Sequence, residues 1–192
     1  MIGQNLSLFL ILSVSIIFVV IGIVYSKKYR GLNNYLTANR DIGPLSLTTS
    51  LVASALGTWV LFGPASDATW GGLGSVIGYS LGTAFPMIAL IYLGIKLRSI
   101  FPKGKTLTQF VKNRFGKELF KLILILTIFY MFIFLCAEVT AVSMLVQYIS
   151  RTPLWITSVI VITTTLLYTL YGGLRASIFT DNIQFFIIAL FF

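Results

Sequence analysis

The chain has no histidine and one cysteine, Cys136, among 192 residues, and only five residues are Asp or Glu. Without histidine the commonest general base and metal ligand is missing. A lone thiol can neither close a disulfide within the chain nor build a cysteine-ligated metal site. There is also no phosphate-cradling glycine loop and no nucleophile paired with a base, so the chain is not expected to be an enzyme or to carry a cofactor. Charge is scarce at 10% of residues, against 57% hydrophobic ones. That balance excludes a soluble domain, whose outer surface must be wet.

What the chain has instead is long apolar runs. They cover roughly Leu6–Tyr25, Leu45–Ser66, Gly72–Ile95, Leu122–Ile149 and Leu154–Leu170, and a sixth starts near Ile183 and reaches Phe192. A helix of about 20 apolar residues crosses a hydrocarbon core of about 30 Å with its backbone hydrogen bonds satisfied internally. The expected architecture is an all-α, polytopic membrane helix bundle, with helices near 6–26, 45–66, 72–95, 119–149, 154–171 and 178–192. The first run is too long for a signal-peptide core and lacks a basic leader and a cleavage site, so it is expected to remain as a helix. From Asn182 onward only about 11 residues remain, roughly 16 Å of helix, and the chain is expected to be truncated within its last span.

Basic residues sort to one side of such a bundle. Lys27, Lys28, Arg30 and Arg40 follow the first span, Lys96 to Lys121 follow the third, and Arg175 follows the fifth; Arg151 alone falls on the other side. Basic loops stay cytoplasmic during insertion, which predicts an N-terminus outside; the expected location is the plasma membrane. The same bias accounts for the net charge of +9 without a nucleic-acid partner.

The second run differs from a lipid-facing anchor. Ser50, Ser54 and Thr58 recur every fourth residue with Ala53 and Gly57 beside them, a small polar face that either packs against other helices or lines a cavity. Gly57-Thr58 near mid-span and Gly63-Pro64 further on are expected to loosen the helix. Unwound backbone at that depth needs protein or water around it, and its freed carbonyls suit a hard cation such as Na⁺.

Four stretches in order carry a family resemblance: Tyr35-Leu-Thr-Ala-Asn-Arg40; Ser50 to Gly63; Thr106-Leu-Thr-Gln-Phe110 with Arg114-Phe-Gly116; and Tyr168-Thr-Leu-Tyr-Gly-Gly-Leu-Arg-Ala-Ser-Ile-Phe-Thr-Asp-Asn-Ile-Gln184. Together they resemble the N-terminal part of the sodium:solute symporter family. The resemblance implies one extra helix followed by the first five-helix repeat of an inverted-repeat transporter fold. It further implies a sodium site that takes the backbone carbonyls of Ala53 and Leu56, completed by a second repeat, and a solute near Gly57, Thr58 and Trp59. Trp59 could equally be a packing residue. The proline-carrier branch has an acidic residue and a Ser where this chain has Ala55 and Gly57, so proline does not carry over as the solute.

Two carboxylates need a reason to be where they are. The resemblance places Asp181 on the cytoplasmic exit path of sodium; local chemistry allows instead a capping box with Gln184 at the start of the last helix. Glu138 falls near mid-membrane, where an unpaired charge is costly. It is either a coupling or substrate-binding group or a neutral acid bonded to a neighbouring hydroxyl, and it lies nearly opposite the polar stripe Cys136, Thr140, Ser143 and Gln147. The expected function is sodium-coupled import of a small organic solute. The alternatives are a transporter-like sensor region of a histidine kinase and the inactive product of a truncated gene.

Overall fold

The computed structural model describes residues 3–29, 31–102, 104 and 106–191. Arg30, Lys103 and Lys105, which contribute to the charge bias, and the terminal Phe192 lie outside the described residues. Among the described residues every element is helical: α1 (Gln4–Lys28), α2 (Leu32–Thr37), a 3₁₀ turn at Ala38–Arg40, α3 (Pro44–Ala55), α4 (Trp59–Ile100), α5 (Leu107–Phe115), α6 (Lys117–Ser150) and α7 (Leu154–Phe191). Among the described residues, four helices are long and apolar enough to cross a membrane: Gln4–Lys28, Phe62–Ile100, Lys117–Ser150 and Leu154–Leu190. The protein is an all-α, multi-pass membrane protein.

Glycines divide the two longest apolar segments. Gly72 (φ 60°, ψ −155°) interrupts α4 and Gly173 (φ 60°, ψ −158°) interrupts α7, in a region that a Cβ makes costly. Undivided, α7 would be about 57 Å long, nearly twice the hydrocarbon core. Divided, it gives 154–172 and 174–191, each about 27–29 Å and so long enough to cross that core. The packing of α1 shows that these halves double back. Gly22 lies against Tyr168 and Ser26 near Gly172, while the neighbouring Tyr25 stacks on Phe179 with ring centroids 4.2 Å apart.

The last crossing therefore opens at residue 174, not near 178, and is far longer than the 16 Å expected from Asn182 onward. Arg175 and Asp181 interrupt the hydropathy there without interrupting the helix. Gly63-Pro64 is a second departure. Pro64 lies inside α4 with helical geometry around it, and the chain stays helical up to Gly72. Asp67 thus rides on a helix and is half-buried.

The chain forms two compact units, Met1–Val60 with Ala137–Phe192, and Leu61–Cys136. In the first, the buried apolar residues are mostly small: Ala38, Ala53, Ala141 and Ala176, with Val139 and Ile178. Small side chains let helix backbones approach closely, which supplies van der Waals contact where lipid offers no hydrophobic drive. Buried hydroxyls add polar contacts, among them Ser143, fully buried and 2.9 Å from Ser158. In the second unit, Thr106 caps α5 by accepting the Gln109 N–H, and Gly116 (φ 89°) ends that helix.

Between α1 and α3 the chain takes an unusual path. Ala38, Asn39 and Arg40 all have left-handed backbone (φ 49°, 53° and 58°), which costs about 1–2 kcal/mol for each residue with a Cβ. Contacts to α7 hold the segment there: the Tyr35 carbonyl and ring pack on Gly173, and Tyr35 Oη lies 3.5 Å from the Thr169 carbonyl oxygen.

Candidate functional site

The site grows from the gap between α3 and α4. The last turn of α3 closes with Leu56 N–H donating to the Val52 carbonyl at 2.9 Å, and Leu56 then leaves helical geometry (φ −89°, ψ 41°). The helix resumes at Trp59, and Val60 N–H donates to the Gly57 carbonyl at 3.1 Å. Among the described residues no backbone N–H donates to the carbonyls of Ala53, Ser54, Ala55 or Leu56. Gly57 lowers the cost of the interruption, because it weakens a helix by about 1 kcal/mol relative to Ala.

Glu138 reaches this gap from α6. Both carboxylate oxygens lie 3.3 Å from the Trp59 backbone nitrogen, the first N–H of the resumed helix. The partner is a backbone group and not the hydroxyl considered from the sequence. An acceptor of negative charge at a helix N-terminus meets both a free N–H and the positive end of the dipole. The carboxylate occupies the space beside Gly57, where an added Cβ would lie 2.8 Å from Glu138 Cδ. On the next turns of α6 Ser143 faces Ser158 instead, so Glu138 and the polar stripe serve different neighbours.

One turn before the gap, α3 meets the last crossing through polar groups. Ser50 Oγ donates to Asp181 Oδ2 at 2.7 Å, and Ser54 Oγ lies 3.5 Å from the same oxygen. Thr49 Oγ1 donates to Asn182 Oδ1 at 2.6 Å, and the Asn182 amide donates to Ser46 Oγ. Asp181 lies about two turns beyond Gly173, inside a continuous helix. The capping-box reading fails for that reason: there is no free helix start at Asp181, and its carboxylate binds hydroxyls of another helix.

The structure thus brings the expected residues together along one interrupted helix. Ala53 is buried in the last turn of α3, and Leu56 is its exposed C-cap. Gly57 and Thr58 are half-buried in the gap, and Trp59 is 40% exposed at the start of α4. Asp181 stands on the α3 side and Glu138 at the gap itself. Of the small polar face of α3, Ser50 and Ser54 are both turned to Asp181. Sequence reasoning missed Ser46, Thr49 and Asn182. Their signal was available, since Ser46, Thr49 and Ser50 share one helical face and Asn182 adjoins Asp181. Among the described residues no three His, Cys, Asp or Glu side chains converge on a metal-sized site.

Residues 35–191 match the sequence profile of the Sodium:solute symporter family, which is most of the chain. The chain belongs to the sodium:solute symporter family. It is similar to a spermidine transporter of Candida albicans, with 27% identity over 163 residues, 85% of this chain and 31% of that protein. It is also similar to sodium/glucose cotransporter 4 of Mus musculus (28% over 152 residues, 78% and 22%). A third relative is sodium/myo-inositol cotransporter 2 of Bos taurus (30% over 139 residues, 70% and 20%). The chain spans about a third or less of the length of these curated relatives. No solved structure matches it.

Proposed function

We propose that the chain is the N-terminal part of a carrier that couples the inward sodium gradient to import of a small organic solute across the plasma membrane, with its N-terminus outside. Na⁺ is cargo in this reading. The carbonyls of Ala53 and Leu56 offer it oxygen ligands, with further ligands from residues outside this chain. Asp181 lies on its path, Glu138 couples ion and solute, and Gly57, Thr58 and Trp59 face the solute. The observation that carries the reading is the gap in the α3–α4 helix, with free main-chain oxygens on one side and Glu138 on the other. Such a gap is stable at membrane depth only where protein or a water-filled cavity surrounds it. Coupling then requires only that ion and solute together favour one of the alternating states. Family membership supports sodium as the driving ion.

The test is uptake into proteoliposomes carrying the full-length protein, across a panel of sugars, polyols, amines and amino acids, with and without a sodium gradient. Accumulation of at least one solute that collapses without sodium is expected. Equal uptake with sodium replaced by choline across the whole panel would defeat the proposal.

A further inference from the structure

The Arg175 side chain is 12% exposed and stands two residues beyond the bend at Gly173. Nη1 donates to Asn34 Oδ1 at 3.0 Å and Nη2 donates to Asp41 Oδ1 at 2.7 Å. The guanidinium carbon sits 3.9 Å from the centroid of the Tyr29 ring, a cation–π contact. Three residues of the segment between α1 and α3 thus grip one residue of the last crossing.

Arg175 and Asp41 also line a partly open cavity of about 200 Å³, together with Ser46 and Asn182, among others. It has room and polar partners for several waters or a hydrated cation. Ser46 is one helical turn before Ser50, and Asn182 follows Asp181 directly, so the polar wall of the cavity adjoins the Asp181–Ser50 hydrogen bond. Arg175 and Asp41 stand at the same cavity and bind each other. While they are paired, the guanidinium holds a fixed positive charge at the cavity wall, which disfavours a cation there.

We propose that Arg175 and Asp41 form a charge-paired gate over this cavity, controlling access between Asp181 and the water on the side of the membrane where residues 31–43 lie. The ion's use of this route rests on the proposed role of Asp181; the gating of the cavity does not. To open, Arg175 must leave Asp41, Asn34 and Tyr29 together, so the three contacts have to break in one step.

Accessibility of a single thiol tests the gate. Cys136→Ser removes the native thiol, and Ser46→Cys places one in the cavity wall. Its rate of modification by a small cationic thiosulfonate reagent is then measured on the protein in vesicles opened on both sides. Arg175→Gln is expected to raise the rate about tenfold, the loss of one charge-assisted pair. Asp41→Asn, which keeps an acceptor, should raise it less, and the exchange Asp41→Arg with Arg175→Asp should restore slow labelling. An unchanged rate in both Arg175→Gln and Asp41→Asn overturns the gate. If Arg175→Gln does not insert, Asp41→Asn and Arg175→Lys, which keeps the charge but loses the bidentate fork, decide by the same criterion. Faster labelling that sodium does not slow, in Arg175→Gln or in its parent, would uphold the gate and count against Asp181 as the ion's path.

Discussion

Replacing Gly57 by Ala should destabilise the protein in one background and stabilise it in another. Gly57 is not among the glycines with positive φ, so Ala brings no backbone strain. By itself the change restricts the unfolded chain and stabilises by about 0.4–1 kcal/mol. Its Cβ, however, lies 2.8 Å from Glu138 Cδ and must displace the carboxylate from the Trp59 N–H. A charge-assisted hydrogen bond is worth about 1.5–3 kcal/mol, and at 3.3 Å this one belongs at the lower end. The net expectation for Gly57→Ala is a loss of about 1 kcal/mol. In Glu138→Ala the obstructing group is already gone, and the same Gly57→Ala change should become neutral or stabilising. The assay is a double-mutant cycle on reversible unfolding in mixed detergent micelles, followed by tryptophan fluorescence. A coupling energy of about 1.5 kcal/mol is expected, since both changes act through one contact. If Gly57→Ala costs the same with and without the Glu138 carboxylate, the capping of α4 by Glu138 is refuted.

Three other changes probe independent features. Asp181→Asn keeps an acceptor for Ser50 but removes the charge; apparent sodium affinity in uptake should fall about tenfold with normal membrane insertion, and an unaltered sodium dependence would remove Asp181 from the ion's path. Gly173→Ala forces a Cβ into positive φ and against the Tyr35 carbonyl, 2.6 Å away; a loss of about 1–3 kcal/mol in the same unfolding assay is expected, and a neutral result would contradict the bend. Among the described residues the Thr157 hydroxyl is buried without a hydrogen-bond partner, so Thr157→Val should stabilise by about 1 kcal/mol; destabilisation would reveal a partner for that hydroxyl.

The membrane class was legible because hydropathy registers each crossing independently of its neighbours. The interruption at Gly57-Thr58 was also legible, since glycine beside a β-branched hydroxyl residue weakens a helix wherever it occurs. Gly63-Pro64 misled for a definable reason. Proline deletes one hydrogen bond, yet the surrounding helix can retain its geometry, as it does around Pro64. The start of the last helix was hidden because Arg175 and Asp181 resemble a loop by composition, while tertiary partners, Asp41 and Ser50, satisfy both charges within helical backbone. The pairing of Glu138 with a main-chain N–H could not be read from the sequence either. Nothing in residues 138 and 59 encodes their meeting, which depends on how α6 lies along the gap.

The fold-back at Gly173 bears on how the protein is made. The crossings 154–172 and 174–191 share one residue of connection, so no hydrophilic tether lets the first settle while the second waits in water. Insertion of the second crossing is therefore tied to that of the first, because the corner leaves no slack for one to move without the other.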